Sequence, residues 1–465
     1  MEVPWYCTGH EDLAIDSLGP RRVRSVYVAS RYVGDDEKTV FDTRLRNILD
    51  ATRKGDALQA FERAGPRELI YFDPSKTRCG VVTCGGLCPG LNDVIRAIVM
   101  QLTYQYGVKV IYGFRYGYEG LIPKYGHEPF MLTPDSVRGI HEKGGSVLGM
   151  SRGPQDPAEM VDALERLSIQ ILFCLGGDGT LRGARAIAEE VARRGLKLAV
   201  IGVPKTIDND VPYIERSFGF ETAFSVAVSA IRGAHEEAES ARNGVGLVKL
   251  MGRHSGYIAA NAALACRDVN FVLIPEVEFD LEGENGLLVH VQRRLEARRH
   301  AVIVVAEGAG QNFFRNDGGA DASGNRRLGD IGIFLKDAIK DSFKQRGIEL
   351  NLKYIDPSYM IRSAHATPND SLFAGLLGQM AVHAGMAGKT NMLVGYWNQQ
   401  FTHVPIAAAV SVRRTIDPSG NFWQNVIEST GQPRHMTNMP AAAEAVLEVA
   451  KAARAPEAES DVPVM

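Results

Sequence analysis

The stretch "LKLAVIGVPKTIDND", residues 196–210, runs from an apolar segment into a loop carrying a cation, a hydroxyl and two carboxylates. The first half has no polar alternation, which predicts a strand buried on both faces, as in a parallel sheet. The second half sets Lys205, Thr206, Asp208 and Asp210 side by side. Like charges two residues apart repel, and a simple turn needs only one of them. A loop of this kind predicts contact with a substrate, a metal or both.

The same grammar recurs on either side. "RCGVVTC" (78–84), "KVIYGF" (109–114), "IQILFCLGGDGT" (169–180), "GLVKLMGRHSG" (246–256), "VNFVLIPE" (269–276) and "HAVIVVAEG" (300–308) read as apolar strands, most of them ending in glycine-containing loops. Amphipathic helices are predicted over "LNDVIRAIVMQLTYQ" (91–105), "LRGARAIAEEVARR" (181–194) and "YIAANAALA" (257–265). Strands alternating with helices indicate an α/β fold. So many of them suggest two doubly wound, Rossmann-like domains facing each other across a cleft. Ligands then sit beyond the carboxyl ends of the strands. Residues 1–77 read as an N-terminal extension with helical patterns at "TRLRNILDATR" (43–53) and "DALQAFERAG" (56–65). The loop at 308–330 reads as a lid or a plain surface loop, and the tail at 455–465 as disordered.

Composition narrows the function. The chain has 465 residues, 45% hydrophobic and 23% charged, with a formal net charge of −3. Without a basic run, nucleic acid and anionic membranes are not expected as partners. No apolar stretch is long enough to span a bilayer and no secretory signal is legible, so a cytoplasmic protein is expected. The six cysteines form no CxxC pair and read as small buried residues of a reducing compartment.

Three loops carry most of the chemistry. In "TCGGLCPGLN" (83–92), Gly85, Gly86 and Gly90 let backbone approach an anion at a helix start; a plain tight turn is the alternative. In "LGGDGT" (175–180), glycines surround Asp178. One carboxylate beside bound phosphates suits Mg²⁺, and an Asp-Gly turn is the bland reading. In "PKTIDND", Asp208 is suited to accept a proton from an attacking hydroxyl, with Asp210 holding Mg²⁺ through water or orienting its neighbours. Thr206 and Lys205 offer a hydrogen bond and a point charge to phosphate or sugar. Arg253 and Glu307 end two further strands. Lys353, Tyr359 and Arg362, in "KYIDPSYMIR" (353–362), form a donor set for a phosphate monoester. Glu276, His254 and His365 read as structural or supporting residues.

The motifs "GGLCPGLNDVIRAI", "GGDGT", "PKTIDND", "FGFETA", "MGRHSGYIA", "IPE", "AEGAGQ" and "YMIR" occur in the order found in phosphofructokinases. The resemblance is closest to the long branch of plant and trypanosomal ATP-dependent enzymes. It implies Mg-ATP phosphorylation of the 1-hydroxyl of fructose 6-phosphate, by a homo-oligomer that is a dimer or tetramer. Gly86 and Gly177, Asp178, Gly179 and Thr180 match ATP-phosphate loops, Arg152 and Gly153 a pair beside the nucleotide, and Asp178 the Mg²⁺ carboxylate. Thr206, Ile207 and Asp208 match the reacting end of the sugar, with Asp208 as base. Met251, Gly252, Arg253, Glu307, Tyr359, Met360, Ile361 and Arg362 match its sugar and 6-phosphate contacts. The implied division is 78–215 plus 362–430 for a larger ATP domain and 216–361 plus 431–465 for a smaller fructose 6-phosphate domain.

The chain departs from the short bacterial enzymes. Tyr359 replaces a histidine, Lys353 an arginine that crosses a subunit interface, and Gly244 a second such arginine. Arg96 matches one effector residue, but Met100 replaces another. Gly179 favours ATP, because pyrophosphate-dependent relatives carry an aspartate there that blocks the α-phosphate; Lys205 resembles those relatives. A pyrophosphate-dependent enzyme and a non-catalytic regulatory subunit are the rival readings. The subunit reading is disfavoured because Asp178, Asp208 and Asp210 are all retained.

Overall fold

The computed structural model describes residues 12–314, 319 and 327–438. Cys7, the tail at 455–465 and much of the 308–330 loop lie outside them.

The chain forms two sheets. The strands of the larger are β2 (Lys38–Val40), β3 (Ala60–Arg63), β5 (Arg78–Thr83), β6 (Val110–Phe114), β7 (Phe130–Met131), β8 (Ile171–Gly176), β9 (Ala199–Pro204), β14 (Met392–Trp397) and β15 (Gln400–Pro405). These nine lie in the order β2-β3-β15-β14-β9-β8-β5-β6-β7. The central strands from β14 to β6 are parallel, and the outer ones antiparallel. The smaller sheet holds β10 (Gly244–Leu250), β11 (Phe271–Leu273), β12 (His300–Ala306) and β13 (Asn351–Ile355). It is wholly parallel, in the order β11-β12-β10-β13. A short ribbon pairs β1 (Val23–Arg24) with β4 (Leu69–Ile70).

Every residue of β8 and β9 is buried, as their unbroken apolar runs require. Helices α2 (Leu91–Met100) and α10 (Pro368–Met386) pack one face of the large sheet through Val94, Ile98, Leu377 and Ala381. Helices α3 (Pro157–Arg166) and α4 (Asp178–Arg193) pack the other through Val161, Leu164, Leu181 and Ile187, joined by Ile406 of the short α11 (Ile406–Ala409). On the small sheet, α5 (Phe220–Glu239) and α6 (Tyr257–Cys266) present mainly alanines, including Ala223, Ala227, Ala259 and Ala263. Small residues allow close approach, and a Cβ on Gly246 would stand 2.7 Å from the Ala234 carbonyl oxygen. Helices α7 (Leu287–Arg298) and α8 (Ile331–Gln345) cover the opposite face.

Four expectations are corrected. Residues 60–63 form strand β3, not a helix, because pairing with β2 and β15 outweighs local propensity; α1 (Leu45–Lys54) is helical as expected. The extension is therefore no separate unit: β2 and β3 belong to the large sheet. There Glu62 accepts hydrogen bonds from Arg67 (3.0 Å) and Lys389 (2.7 Å) and pairs with His403 (3.0 Å). Helix α12 (Asn421–Thr430) buries Trp423 and Val426 in the small sheet's core, so 421–430 side with the smaller unit, not the larger. Finally, α4 begins at Asp178 rather than after the glycine loop, so Asp178 lies on a helix first turn. Among the described residues no helix is long and apolar enough to cross a membrane. Cys79, Cys84, Cys88, Cys174 and Cys266 are free and buried.

Candidate active site

The carboxyl ends of β5, β8 and β9 from the large sheet and of β10 and β12 from the small one converge on one mouth. Past β9, Lys205 donates from its backbone N–H to the Gly176 carbonyl (2.9 Å) and from Nζ to the Gly86 carbonyl (2.7 Å). One lysine thus ties both glycine loops together. It is buried, and burial pushes its pKa down. Arg152 lies beside Gly86, where a Cβ would meet its Nη2 at 3.4 Å. Gly177 caps α4 with no side-chain cap bond. The first-turn N–H groups of a helix favour an anion.

The loop turns on Asn209, whose φ of 55° lies in the left-handed region that asparagine tolerates. Asn209 Oδ1 accepts from the Ser217 N–H at 3.0 Å, and Ser217 Oγ donates to the Thr206 carbonyl at 2.5 Å. That brace turns Thr206, Asp208 and Asp210 toward the mouth, with Thr206 Oγ1 donating to Asp210 Oδ1. From the small sheet, the Arg253 N–H reaches Asp208 Oδ2 at 3.4 Å and Ser255 Oγ donates to the Asp208 carbonyl at 3.1 Å. Asp208 Oδ1 is buried with no partner among the described residues. Burial, then the nearby charges of Asp210 and Glu307, raise the Asp208 pKa to about 7.

Asp178 and Asp210 converge on one guanidinium. Arg413 Nη1 donates to Asp210 Oδ2 at 2.9 Å and its Nη2 to Asp178 Oδ2 at 3.3 Å. Arg182 Nε also donates to Asp178 Oδ2, at 3.2 Å. A positive group already bridges the two carboxylates, so this donor set fits a divalent cation. Among the described residues no three or more His, Cys, Asp or Glu side chains form a metal cluster. A cation here takes its remaining ligands from water and phosphate, the usual habit of Mg²⁺.

Residues 78–385 match the phosphofructokinase family model. The chain belongs to the phosphofructokinase family. An ATP-dependent 6-phosphofructokinase of Borreliella burgdorferi is 50% identical over 442 residues, covering 92% of this chain and 98% of that one. An ATP-dependent 6-phosphofructokinase of Trypanosoma cruzi is 46% identical, covering 90% and 88%. The structure of a pyrophosphate-dependent phosphofructokinase from Marinobacter aquaeolei superposes with a TM-score of 0.63 at 19% identity, covering 78% of this chain and 94% of that one. At that identity it speaks for the fold alone. The expected family and its long ATP-dependent branch, a phosphotransferase lineage, are borne out.

Within this phosphofructokinase, most of the expected site residues meet at the mouth and a few do not. Gly179 faces open space, with no heavy atom within 4 Å of a Cβ placed there. Thr180 is buried and its side chain packs under Gly176, so only its backbone faces the loop. Gly252 takes a φ of 128°, and the Gly308 N–H donates to its carbonyl at 3.0 Å. A Cβ on Gly308 would stand 2.0 Å from the Arg253 carbonyl oxygen, so glycine is required beside Glu307. On α9 (Ser358–Ser363), Arg362 Nε lies 3.1 Å from Met251 Sδ. Ile361 is core, with only its backbone available, while Tyr359 and Met360 point outward, 83% and 69% exposed. Lys353 pairs in register with Gly246, short of the rim by roughly 13 Å of strand. Its Nζ lies 3.8 Å from Glu237 Oε2, so this chain does not bring it into its own site. His254 stands closer to the chemistry than expected. Burial, then the charge of Arg413, lowers its pKa, and Asp210 and Asp178 are near enough to oppose that shift. Glu276 is structural as expected, accepting from the N–H groups of Gly256 (3.0 Å) and Ile416 (2.8 Å).

Sequence reasoning missed Arg413. The only signal was "RRT" (413–415) following a strand-like run, where paired arginines have no core to enter.

Proposed function

We propose that this chain transfers the γ-phosphoryl group of ATP to the 1-hydroxyl of fructose 6-phosphate. One observation carries the reading: Asp208, from the large sheet, is held by the Arg253 N–H of the small one and keeps one carboxylate oxygen buried and unpaired. A hydroxyl docked between the two units is the natural donor to that oxygen. Asp208 accepts the proton as the O–P bond forms and the bond to the ADP leaving oxygen breaks. The raised pKa leaves Asp208 partly protonated before substrates arrive; the positive charge of Arg362 favours its ionised form. Lys205 and the first-turn N–H groups of α4 receive the phosphates, with Gly86, Arg152, Gly153, Gly177 and Gly179 leaving them room. Asp178 and Asp210 would hold Mg²⁺, which neutralises phosphate charge when bound.

Glu307, Met251, Gly252, Arg253 and Arg362 hold the sugar phosphate. Tyr359 and Lys353 project away from this mouth, which supports a homo-oligomer, dimer or tetramer, in which they serve a neighbouring subunit. The free, buried cysteines fit a reducing, cytoplasmic location. The test supplies fructose 6-phosphate with ATP and, separately, with pyrophosphate, and follows release of ADP from the first donor and of phosphate from the second. ATP turnover is expected, and it should fall about 10²–10⁴-fold in Asp208→Ser. Turnover with pyrophosphate alone, or near-normal turnover of the variant, refutes the proposal.

A further inference from the structure

Among the described residues Arg413 is the one positive group that bonds both proposed metal carboxylates, and its setting is unusual. The backbone on either side of it is pinned. The Val410 carbonyl accepts from Arg182 Nη2 (2.8 Å), and the Arg414 N–H donates to the Asp210 carbonyl (2.8 Å). The Thr415 carbonyl accepts from Tyr257 Oη (2.9 Å), and the Ile416 N–H binds Glu276 Oε1 (2.8 Å). Arg414 donates to the Glu215 carbonyl (2.7 Å) and lies over the Tyr257 ring. Residues 410–416 therefore form a fixed strap across the mouth. The Arg413 side chain is 35% exposed and so borders solvent, whereas Asp210 is only 12% exposed.

We propose that Arg413 is a built-in counter-cation that occupies the divalent-metal position in the ligand-free enzyme and must leave before the metal enters. This rests on the reading of Asp178 and Asp210 as the metal carboxylates. Two carboxylates converging without a cation repel each other, and the guanidinium satisfies both through separate N–H groups. A bare divalent ion must displace those bonds and leave the freed guanidinium to water alone. An ion arriving on a nucleotide brings phosphate oxygens that accept it. Arg413 thus biases the site toward the metal–nucleotide complex over the free ion.

The test is Mn²⁺ binding to the full-length protein without nucleotide, followed by the electron paramagnetic resonance of unbound Mn²⁺. Arg413→Met should bind Mn²⁺ about tenfold or more tighter than wild type, the gain expected from removing charge-assisted hydrogen bonds. Arg413→Lys keeps the charge without the fork and should fall between them. Arg182→Met removes a cation that touches Asp178 but not Asp210, together with its bond to the Val410 carbonyl, and is 60% exposed; it should change affinity less than about threefold. Melting in EDTA checks folding: Arg413→Met should melt lower than wild type and gain more from added Mn²⁺. Unchanged or weaker Mn²⁺ binding by Arg413→Met overturns the proposal. An equal gain in Arg182→Met reduces the effect to net charge and also overturns it. If no form binds Mn²⁺ even with ATP present, the assignment of the metal carboxylates falls, and this proposal with it.

Discussion

Replacing Asp208 with asparagine should make the ligand-free protein more stable while abolishing turnover. The carboxyl has a pKa of about 7 in the folded chain against 3.8 when free, because burial and the neighbouring acids Asp210 and Glu307 disfavour its charge. The folded value lies above the unfolded one, so the folded chain holds the proton more tightly. Below pH 3.8 both states are protonated and nothing is lost. The cost to stability grows as pH rises through that interval and is complete above about 7. At about 1.4 kcal/mol per unit it reaches roughly 4 kcal/mol at pH 8 and roughly 2 kcal/mol at pH 5. The neutral amide of the variant carries no such cost, and its oxygen still accepts the Arg253 N–H. The variant's advantage should therefore grow by roughly 2 kcal/mol between pH 5 and pH 8, enough to move the melting temperature by a few degrees. Calorimetric melting of both proteins in EDTA at the two pH values measures this. An advantage that is absent, or equal at both, refutes an ionised, uncompensated Asp208 at neutral pH. The same atom would then be both a source of instability and the base, the usual trade between stability and activity.

Other expectations follow from the same geometry. Gly179→Asp puts a carboxylate into open space and should weaken ATP use far more than pyrophosphate use in parallel steady-state assays; equal losses contradict the donor argument. Asp210→Asn removes one of the charges raising the Asp208 pKa, so any residual kcat/KM should keep its acidic limb but shift it to lower pH. Glu276→Ala strips two buried N–H groups of their acceptor and should cost about 1–3 kcal/mol in melting or denaturant titration, with a rise in KM as the strap loosens.

The parallel strands were legible because a strand buried on both faces must be apolar throughout, as β8 and β9 are. The loops at their ends were legible because glycine beside Asp178 and Glu307, and two carboxylates two residues apart at Asp208 and Asp210, serve few structural ends. Residues 60–63 were not, since "ALQAF" (57–61) carries a helical spacing that pairing with β2 and with β15, far along the chain, overrides. The hairpin of β14 and β15 was missed as well. Its turn, Asn398 and Gln399 with φ of 47° and 61°, lacks the glycine that usually marks such turns. Thr180 and Ile361 were found as residues, but their orientation depends on which way a helix first turn rolls. Arg413 stands 203 positions from Asp210 and 235 from Asp178, and no local pattern links residues so far apart.

The polypeptide passes between the two units at 205–219, at 356–367 and through the strap at 410–420. Among the described residues three separate covalent ties thus join the units, and any rotation of one unit on the other must bend all three together. Neither half is a continuous piece of chain, so a cut at any one of these three crossings would leave each fragment without part of its core.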